Sequence, residues 1–385
     1  MRAIDLFAGA GGFSLAAFRA GVDVIAAVEF DEQAANTYQH NLVDEMGAET
    51  IVHHQDINTI DIADFMDQLK IAEGDLDILL GGPPCQGFSG HRLGDSSVDD
   101  PRNQLLIRYF DFVHALKPKV FLVENVPGLL WKRHEKHLNK FLDLANENGY
   151  RVIGPERINA KDYGVPQNRK RVFILGVRED IDLSELQWPP QPTHFKPESQ
   201  EGPAWRTAST VFEMPPQEEL DRLFQRFVEK DELGHNRAWE VIDALEFGEA
   251  VKTLNEDPCA IHMNHTQELV DRFAQTPPNG SRDEIEFQLK CHANGYSGHK
   301  DVYGRIRYNL PGPTMTTGCN NPSKGRFVHP WLNHGISLRH AARFQTFPDE
   351  YIFYGSTTDQ ARQIGNAVPI ELGMHLITEI YSRLG

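Results

Sequence analysis

Apolar and polar positions along the first 180 residues alternate in the rhythm of βαβ units. Ala3–Phe7 is a short apolar run broken by Asp5 and followed at once by Gly9-Ala10-Gly11-Gly12. Phe13–Ala20 then reads as a helix closed by Gly21. Val22–Val28 predicts a second strand with Glu29 at its carboxyl end, then a helix from about Asp31 to His40 and a third short strand over Ile51–His53. Leu76–Leu80, apolar except for Asp77, and Val120–Val123 are apolar runs of strand length, as expected for strands buried on both faces of a parallel sheet. Between them Gln104–Leu116 predicts a helix with Leu105, Leu106, Tyr109, Phe112, Val113 and Leu116 on one side. Arg171–Val177 is a later strand. Alternation of this kind predicts an α/β fold with a doubly wound, mostly parallel sheet.

The texture changes after Asp180. Gln187–Pro203 is proline-rich and reads as an irregular connection. From Glu213 to Asp257 thirteen acids face five bases with helical patterning. From Gln288 to Arg343 the sign reverses, with Lys290, Lys300, Arg305, Arg307, Lys324, Arg326, Arg339 and Arg343 against Asp301 alone. That segregation matters because the whole chain carries a formal charge of −17, which by itself disfavours a phosphate-binding partner. A local basic region restores the option, and charge scatter over a solvated surface is the alternative. No window approaches the roughly 18 uninterrupted apolar residues of a membrane helix. Asp5 and the glycines arrive too early for a signal peptide, and four cysteines in 385 residues make no disulfide framework. A reduced, cytoplasmic protein is expected.

A strand, a glycine turn and a helix, with an acid ending the next strand, is the arrangement that holds an adenosine ligand. Glycine lets the backbone come close, and the acid bonds the ribose hydroxyls. Glu29 lies about twenty residues past the glycines, where the pattern requires it. Ser14 stands where a dinucleotide fingerprint has its third glycine, and no Gly-Lys-Ser/Thr follows. An adenosine ligand without a pyrophosphate remains, and S-adenosylmethionine fits. A tight turn in any α/β protein is the plainer alternative. Asp56, after the third strand, is placed to bond an adenine amino group.

After Leu76–Leu80 comes Gly81-Gly82-Pro83-Pro84-Cys85-Gln86-Gly87-Phe88-Ser89. The prolines stiffen the chain, and the cysteine falls in the crevice where open α/β sheets bind ligands. Most free cysteines are small buried hydrophobes, but this loop is polar and turn-rich. The other reading is a nucleophile, which needs a partner acid or base, and Glu124 at the end of Val120–Val123 supplies one. A zinc deaminase is excluded because Phe88 stands where its second cysteine belongs.

At this point the chain resembles a known family. Asp5–Gly12, Gly82–Ser89, Glu124-Asn125-Val126, Gln167–Arg171, Leu338–Asp349 and Gly365-Asn366-Ala367-Val368-Pro369 are similar, in order, to the motifs of DNA cytosine-5 methyltransferases. The resemblance implies a fold of the S-adenosylmethionine-dependent, Rossmann-like kind. It implies that the Cys85 thiolate attacks carbon 6 of cytosine, so that carbon 5 becomes able to take a methyl group. Glu124 would bond the ring nitrogen and exocyclic amine. Arg169 and Arg171 would supply fixed donors, one toward the base carbonyl and the other toward a phosphate or the glutamate. The cofactor set implied is Phe7, Gly9, Gly11, Gly12, Glu29, Asp56, Ile57, Pro84, Asn366 and Val368. For DNA it is Ser89, His91, Arg92, Arg305, Arg307 and Thr316. The segment Gln86–Asn103, with Arg102 near its end, is expected to close over a flipped base.

The expected layout is a catalytic domain over 1–186, a target-recognition domain over 187–324 and a return segment over 325–385. Thr317 departs from the aliphatic residue usual near Thr316 in the family. The partners implied are double-stranded DNA and a separate restriction endonuclease, with the enzyme a bacterial, nucleoid-associated monomer and no membrane contact. Three alternatives stay open: an RNA-directed member of the fold, an inactive DNA-binding module and a nicotinamide-dependent oxidoreductase. Cys259, His262, His265, Cys291 and His292 fit no standard zinc spacing, and no metal is expected.

Overall fold

The computed structural model describes residues 1–84, 104–230, 235–285 and 301–384. The chain forms two compact units. Unit 1 comprises Met1–Tyr163, Lys170–Pro192 and Ala367–Gly385, and unit 2 comprises Gly164–Arg169 and Thr193–Asn366.

Unit 1 is built on a seven-stranded sheet of β1 (Arg2–Leu6), β2 (Asp23–Glu29), β3 (Ile51–His54), β4 (Ile78–Gly81), β5 (Val120–Asn125), β6 (Tyr150–Asn159) and β7 (Lys170–Arg178). Its order is β3-β2-β1-β4-β5-β7-β6. Only β7 runs antiparallel to its neighbours, so the sheet is mixed and mostly parallel. Strand order switches direction between β1 and β4, and a ligand crevice opens at the carboxyl ends of strands at such a point. The central strands β4 and β5 are buried throughout, which accounts for their unbroken apolar runs. β6 was not among the expected strands. It is the sheet edge, half exposed, and its register slips between Ile153 and Glu156, so no alternation marks it.

The helices of unit 1 follow their local signals. Asp31 caps α2 (Glu32–Tyr38) by accepting the Ala34 N–H at 3.0 Å, and Asp61 caps α3 (Ile62–Leu69) in the same way. α4 (Leu105–Leu116) buries Leu106, Tyr109, Phe110, Phe112, Val113 and Leu116 against the sheet, with Phe141 of α5 (Glu135–Glu147) closing the layer. On the other side α1 (Gly12–Arg19) packs against α11 (Ile370–Leu384), the last helix of the chain. The two come so close that a Cβ added at Gly373 would lie 2.7 Å from the Ala16 Cβ.

Unit 2 contains α6 (Gln217–Glu229), α7 (His235–Asp243), α8 (Gln267–Gln275), α9 (Leu338–Phe344) and α10 (Thr357–Asn366). Leu220, Leu223, Phe224 and Phe227 form the apolar stripe of α6, and they pack with Ala238, Ile242 and Tyr308. Ser337 caps α9, and Arg339 on its first turn makes a buried two-pronged ion pair with Asp257 at 2.6 and 2.9 Å.

Candidate active site

The turn after β1 is shaped by backbone conformation. Gly9 and Gly11 have φ of 56° and 83°, a region closed to most side chains, and Phe7 is forced into it as well at φ 60°. The Gly9 N–H donates to Glu29 Oε2 and the Asp31 N–H donates to Oε1, each at 2.7 Å. Two main-chain donors therefore orient the carboxylate at the end of β2, while burial pushes its pKa up. Behind the turn, Asp5 is buried and accepts the Ser14 hydroxyl at 2.7 Å. Burial raises the Asp5 carboxyl to about pKa 7. Ser14, where a dinucleotide site would have glycine, thus anchors helix α1 to strand β1.

Asp56 follows β3 and accepts the Asn58 N–H at 2.9 Å, which starts the short turn that buries Ile57. Arg108 of α4 fastens this turn by donating to Ile57 O at 3.0 Å and Ile60 O at 2.6 Å. Phe30, one residue past Glu29, is 72% exposed although it is a large aromatic. It was not among the expected site residues. An aromatic immediately after the acid that ends the second strand was the available signal.

Glu124, at the end of β5, forms an ion pair with Arg171 on β7, with Nε 2.9 Å from Oε1. Both side chains are mostly enclosed, which strengthens the pairing and sets the carboxylate's angle. The second oxygen, Oε2, is 3.6 Å from where a Cβ on Gly82 would stand, so the carboxylate faces the main chain that leads through Pro83 and exposed Pro84. Asn125 ties the same segment by donating to Pro83 O at 3.4 Å. Cys85, Ser89, His91, Arg92 and the segment Gln86–Asn103 lie outside the described residues.

Arg169 departs from the expectation of a donor facing the base. It is fully buried in unit 2, donating from Nη1 to Met315 O at 2.9 Å and from Nη2 to Gly365 O at 3.0 Å. It fixes main chain, so it is a positioning residue.

The basic region also differs from expectation. Arg305 is 3% exposed and donates to Thr276 O, His329 O, Leu332 O, Phe273 O and Asn333 Oδ1 at 2.6–2.8 Å. It cannot read a base, because its donors are all spent inside unit 2. Burial lowers its pKa to about 10, so it stays charged at neutral pH. Arg326 and Arg339 are likewise buried, and Arg343 pairs with Asp349. Residue charge was a poor guide here, because interior carbonyls consume guanidinium groups as readily as phosphates do. Arg307 and Lys324 are exposed, and Thr316 is half-buried. Asn366 ends α10 exposed in unit 2, and Val368 is buried in unit 1.

Cys259 is buried, its thiol pKa is raised by burial, and its N–H is bonded to Asp257. His265 accepts the Gly335 N–H, while Cys291 and His292 lie outside the described residues. Among the described residues, one other group of metal-type side chains converges: Glu213, His329 and His340. His329 and His340 both accept main-chain N–H groups at Nδ1, which leaves hydrogen on each Nε2. His340 Nε2 lies 3.8 Å from Glu213 Oε2, too far for a hydrogen bond, and among the described residues Glu213 Oε2, His329 Nε2 and His340 Nε2 are buried without hydrogen-bond partners.

The sequence matches the family model for C-5 cytosine-specific DNA methylases over residues 1–382. It is 31% identical to the Type II methyltransferase M.AgeI of Thalassovita gelatinovora, over 97% of this chain and 97% of that protein. With M.DdeI of Desulfomicrobium norvegicum the identity is 34%, over 99% of this chain and 88% of that one. A prophage-encoded DNA modification methyltransferase of E. coli superposes with a TM-score of 0.68 at 25% identity, over 100% and 99% of the two chains. Dnmt2 of S. pombe shares the fold, with a TM-score of 0.53 at 17% identity over 100% and 99%. With the glycine turn, the acid at the end of β2 and the Glu124–Arg171 pair all on one sheet, the chain belongs to the C-5 cytosine-specific DNA methylase family.

Proposed function

We propose that the chain methylates carbon 5 of a cytosine flipped out of a specific double-stranded DNA sequence, through a covalent adduct at Cys85, with S-adenosylmethionine as donor. The observation that carries this reading is the Glu124–Arg171 pair. Arg171 holds a carboxylate at the carboxyl end of β5, facing the main chain at Gly82, which precedes Cys85 by three residues in the sequence. That is where an acid must stand to meet the ring nitrogen of a base under attack by the sulfur.

The cofactor residues fit the donor. Glu29, its two oxygens fixed by main-chain N–H groups, would accept the ribose hydroxyls. Exposed Phe30 would cover one face of the adenine, and Asp56 with Ile57 would meet its edge. Phe7, Gly9, Gly11 and Gly12 would line the turn beside it, and Pro84 and Val368 of unit 1 would close the pocket, with Asn366 a cofactor residue on the family resemblance alone. When bound, the sulfonium supplies an electrophilic methyl group. The Cys85 thiolate would form a bond to carbon 6 while Glu124 neutralises the ring nitrogen. Carbon 5 would then take the methyl group, leaving the donor as a neutral thioether, and loss of the carbon 5 proton to a base would eliminate the thiolate from carbon 6 and restore the ring. Removing the base from the stack costs a few kcal/mol.

Residues 187–324, in unit 2 from Thr193 onward, would recognise the target, with Arg307 and Thr316 as the described contacts. Ser89, His91 and Arg92 would serve the catalytic side. The names of M.AgeI and M.DdeI, both Type II methyltransferases, support a role in bacterial restriction–modification. A separate endonuclease, a cytoplasmic, nucleoid-associated location and a monomeric state belong to the same proposal. Bisulfite sequencing of DNA from cells expressing the chain gives the target. A duplex with 5-fluorocytosine at that position should then form a denaturant-stable adduct with wild type and donor, and none with Cys85→Ala. Wild type that methylates DNA yet never becomes attached would overturn the covalent route.

A further inference from the structure

A net charge of −17 forces the question of where unit 1 can meet phosphates at all. One patch stands out immediately beyond β5. Lys132, Arg133, Lys136 and Lys140 stand against Glu135 within Trp131–Lys140, a local charge of +3, while Asp143 and Glu147 share a surface hollow with Lys136 and Lys140 and leave Lys132 and Arg133 as the less compensated end. All four cations are exposed, as is Trp131 at 40%. None is in an ion pair among the described residues.

Arg133 is held ready. Its Nε donates to His134 Nε2 at 2.9 Å, and its guanidinium lies over the Trp131 ring, 4.6 Å from the centroid. His134 is buried, and burial, reinforced by the Arg133 charge, lowers its pKa to about 4. It is therefore neutral at physiological pH and able to accept that bond. A fork whose Nε and face are both occupied has only its terminal nitrogens left to offer, in a plane already fixed. Such preorganisation is what two-pronged recognition of a phosphate requires. Trp131 stands six residues past Asn125, the last residue of β5, the strand that carries Glu124.

We infer that Arg133, seated on Trp131 and flanked by Lys132, Lys136 and Lys140, is a docking site for the phosphate backbone of the duplex whose base enters the Glu124 site. This rests on the reading of duplex DNA as substrate. The contact carries no sequence information, so it contributes affinity and register while unit 2 supplies choice.

The test uses full-length protein and a fluorescent duplex carrying the methylated sequence, with binding measured over a range of potassium chloride concentrations. Arg133→Ala and the double variant Lys132→Ala/Lys136→Ala should each bind roughly three- to tenfold more weakly, with the log–log salt slope smaller by about 1 per lost phosphate contact. Turnover at saturating DNA and half-saturation by donor should match wild type, so the loss falls on KM and not on kcat. Arg133→Lys should recover only part of the affinity, because an ammonium cannot use the fork. All the altered side chains are exposed, and a melting curve equal to wild type confirms folding. Wild-type slopes in both folded variants would overturn the docking site. Wild type that neither binds the duplex nor methylates it would instead refute the underlying reading.

Discussion

Replacing Arg305 by Met keeps a long apolar stem and deletes every donor. Five acceptors then lose their partner inside unit 2: Thr276 O, His329 O, Leu332 O, Phe273 O and Asn333 Oδ1. These come from α8 and its end, and from the stretch around His329–Asn333, so one side chain cross-links two chain segments. Each bond contributes about 1 kcal/mol, and an orphaned buried acceptor costs at least as much, less whatever hydration the site admits. A loss of about 3–5 kcal/mol follows, at the upper end for a single substitution. For a unit of this size that is a fall in Tm of about 10 °C. Thermal unfolding followed by circular dichroism, with hydrogen exchange resolving unit 2 from unit 1, reads the effect. Arg307→Met is the control, since Arg307 is exposed two residues away and should melt like wild type. Arg305→Met melting within about 2 °C of wild type while losing DNA affinity would refute the argument and return Arg305 to the DNA surface.

Three further outcomes are expected. Glu124→Gln keeps the shape but removes the charge that pairs with Arg171, and turnover should fall by about 10²–10⁴ with donor binding unchanged, measured by labelled methyl transfer. Asp5 has its carboxyl pKa raised from 3.8 to about 7, so the folded state holds the extra proton across that window and stability falls as pH rises through it. Asp5→Asn, which still accepts the Ser14 hydroxyl, should flatten that part of the stability–pH curve in chemical denaturation. Gly373→Val pushes a branched side chain into Ala16 and should cost about 1–3 kcal/mol in the same assay.

What the sequence made legible was whatever local chemistry dictates. Ile78–Leu80 and Val120–Val123 were legible as strands because the interior of a parallel sheet, covered on both faces, is built mainly from apolar side chains. Glu29 was readable because an acid closing an apolar strand after a glycine turn has few other uses, and the turn indeed clamps it through Gly9 N. β6 was hidden because an edge strand with a register slip carries no alternation. The buried roles of Arg169, Arg305, Arg326 and Arg339 were hidden for another reason. A guanidinium whose acceptors lie as far as 196 residues away leaves little trace in its own neighbourhood. Phe30 carried one readable signal, its place directly after Glu29, but the exposure that separates it from a core phenylalanine is recorded by no sequence pattern.

Unit 1 is assembled from three stretches of chain, and the helix that covers α1 follows all of unit 2 in the sequence. Until Ile370–Leu384 emerges, the outward side of Phe13, Leu15, Ala16 and Ala17 has no lid, however early β1 and β2 have paired. Translation thus completes unit 2 before its own first helix is sheltered. A stop codon anywhere before α11 leaves a greasy, incomplete Rossmann layer that quality-control proteases can seize, so premature termination should yield degraded fragments and not a stray methylase with its specificity removed.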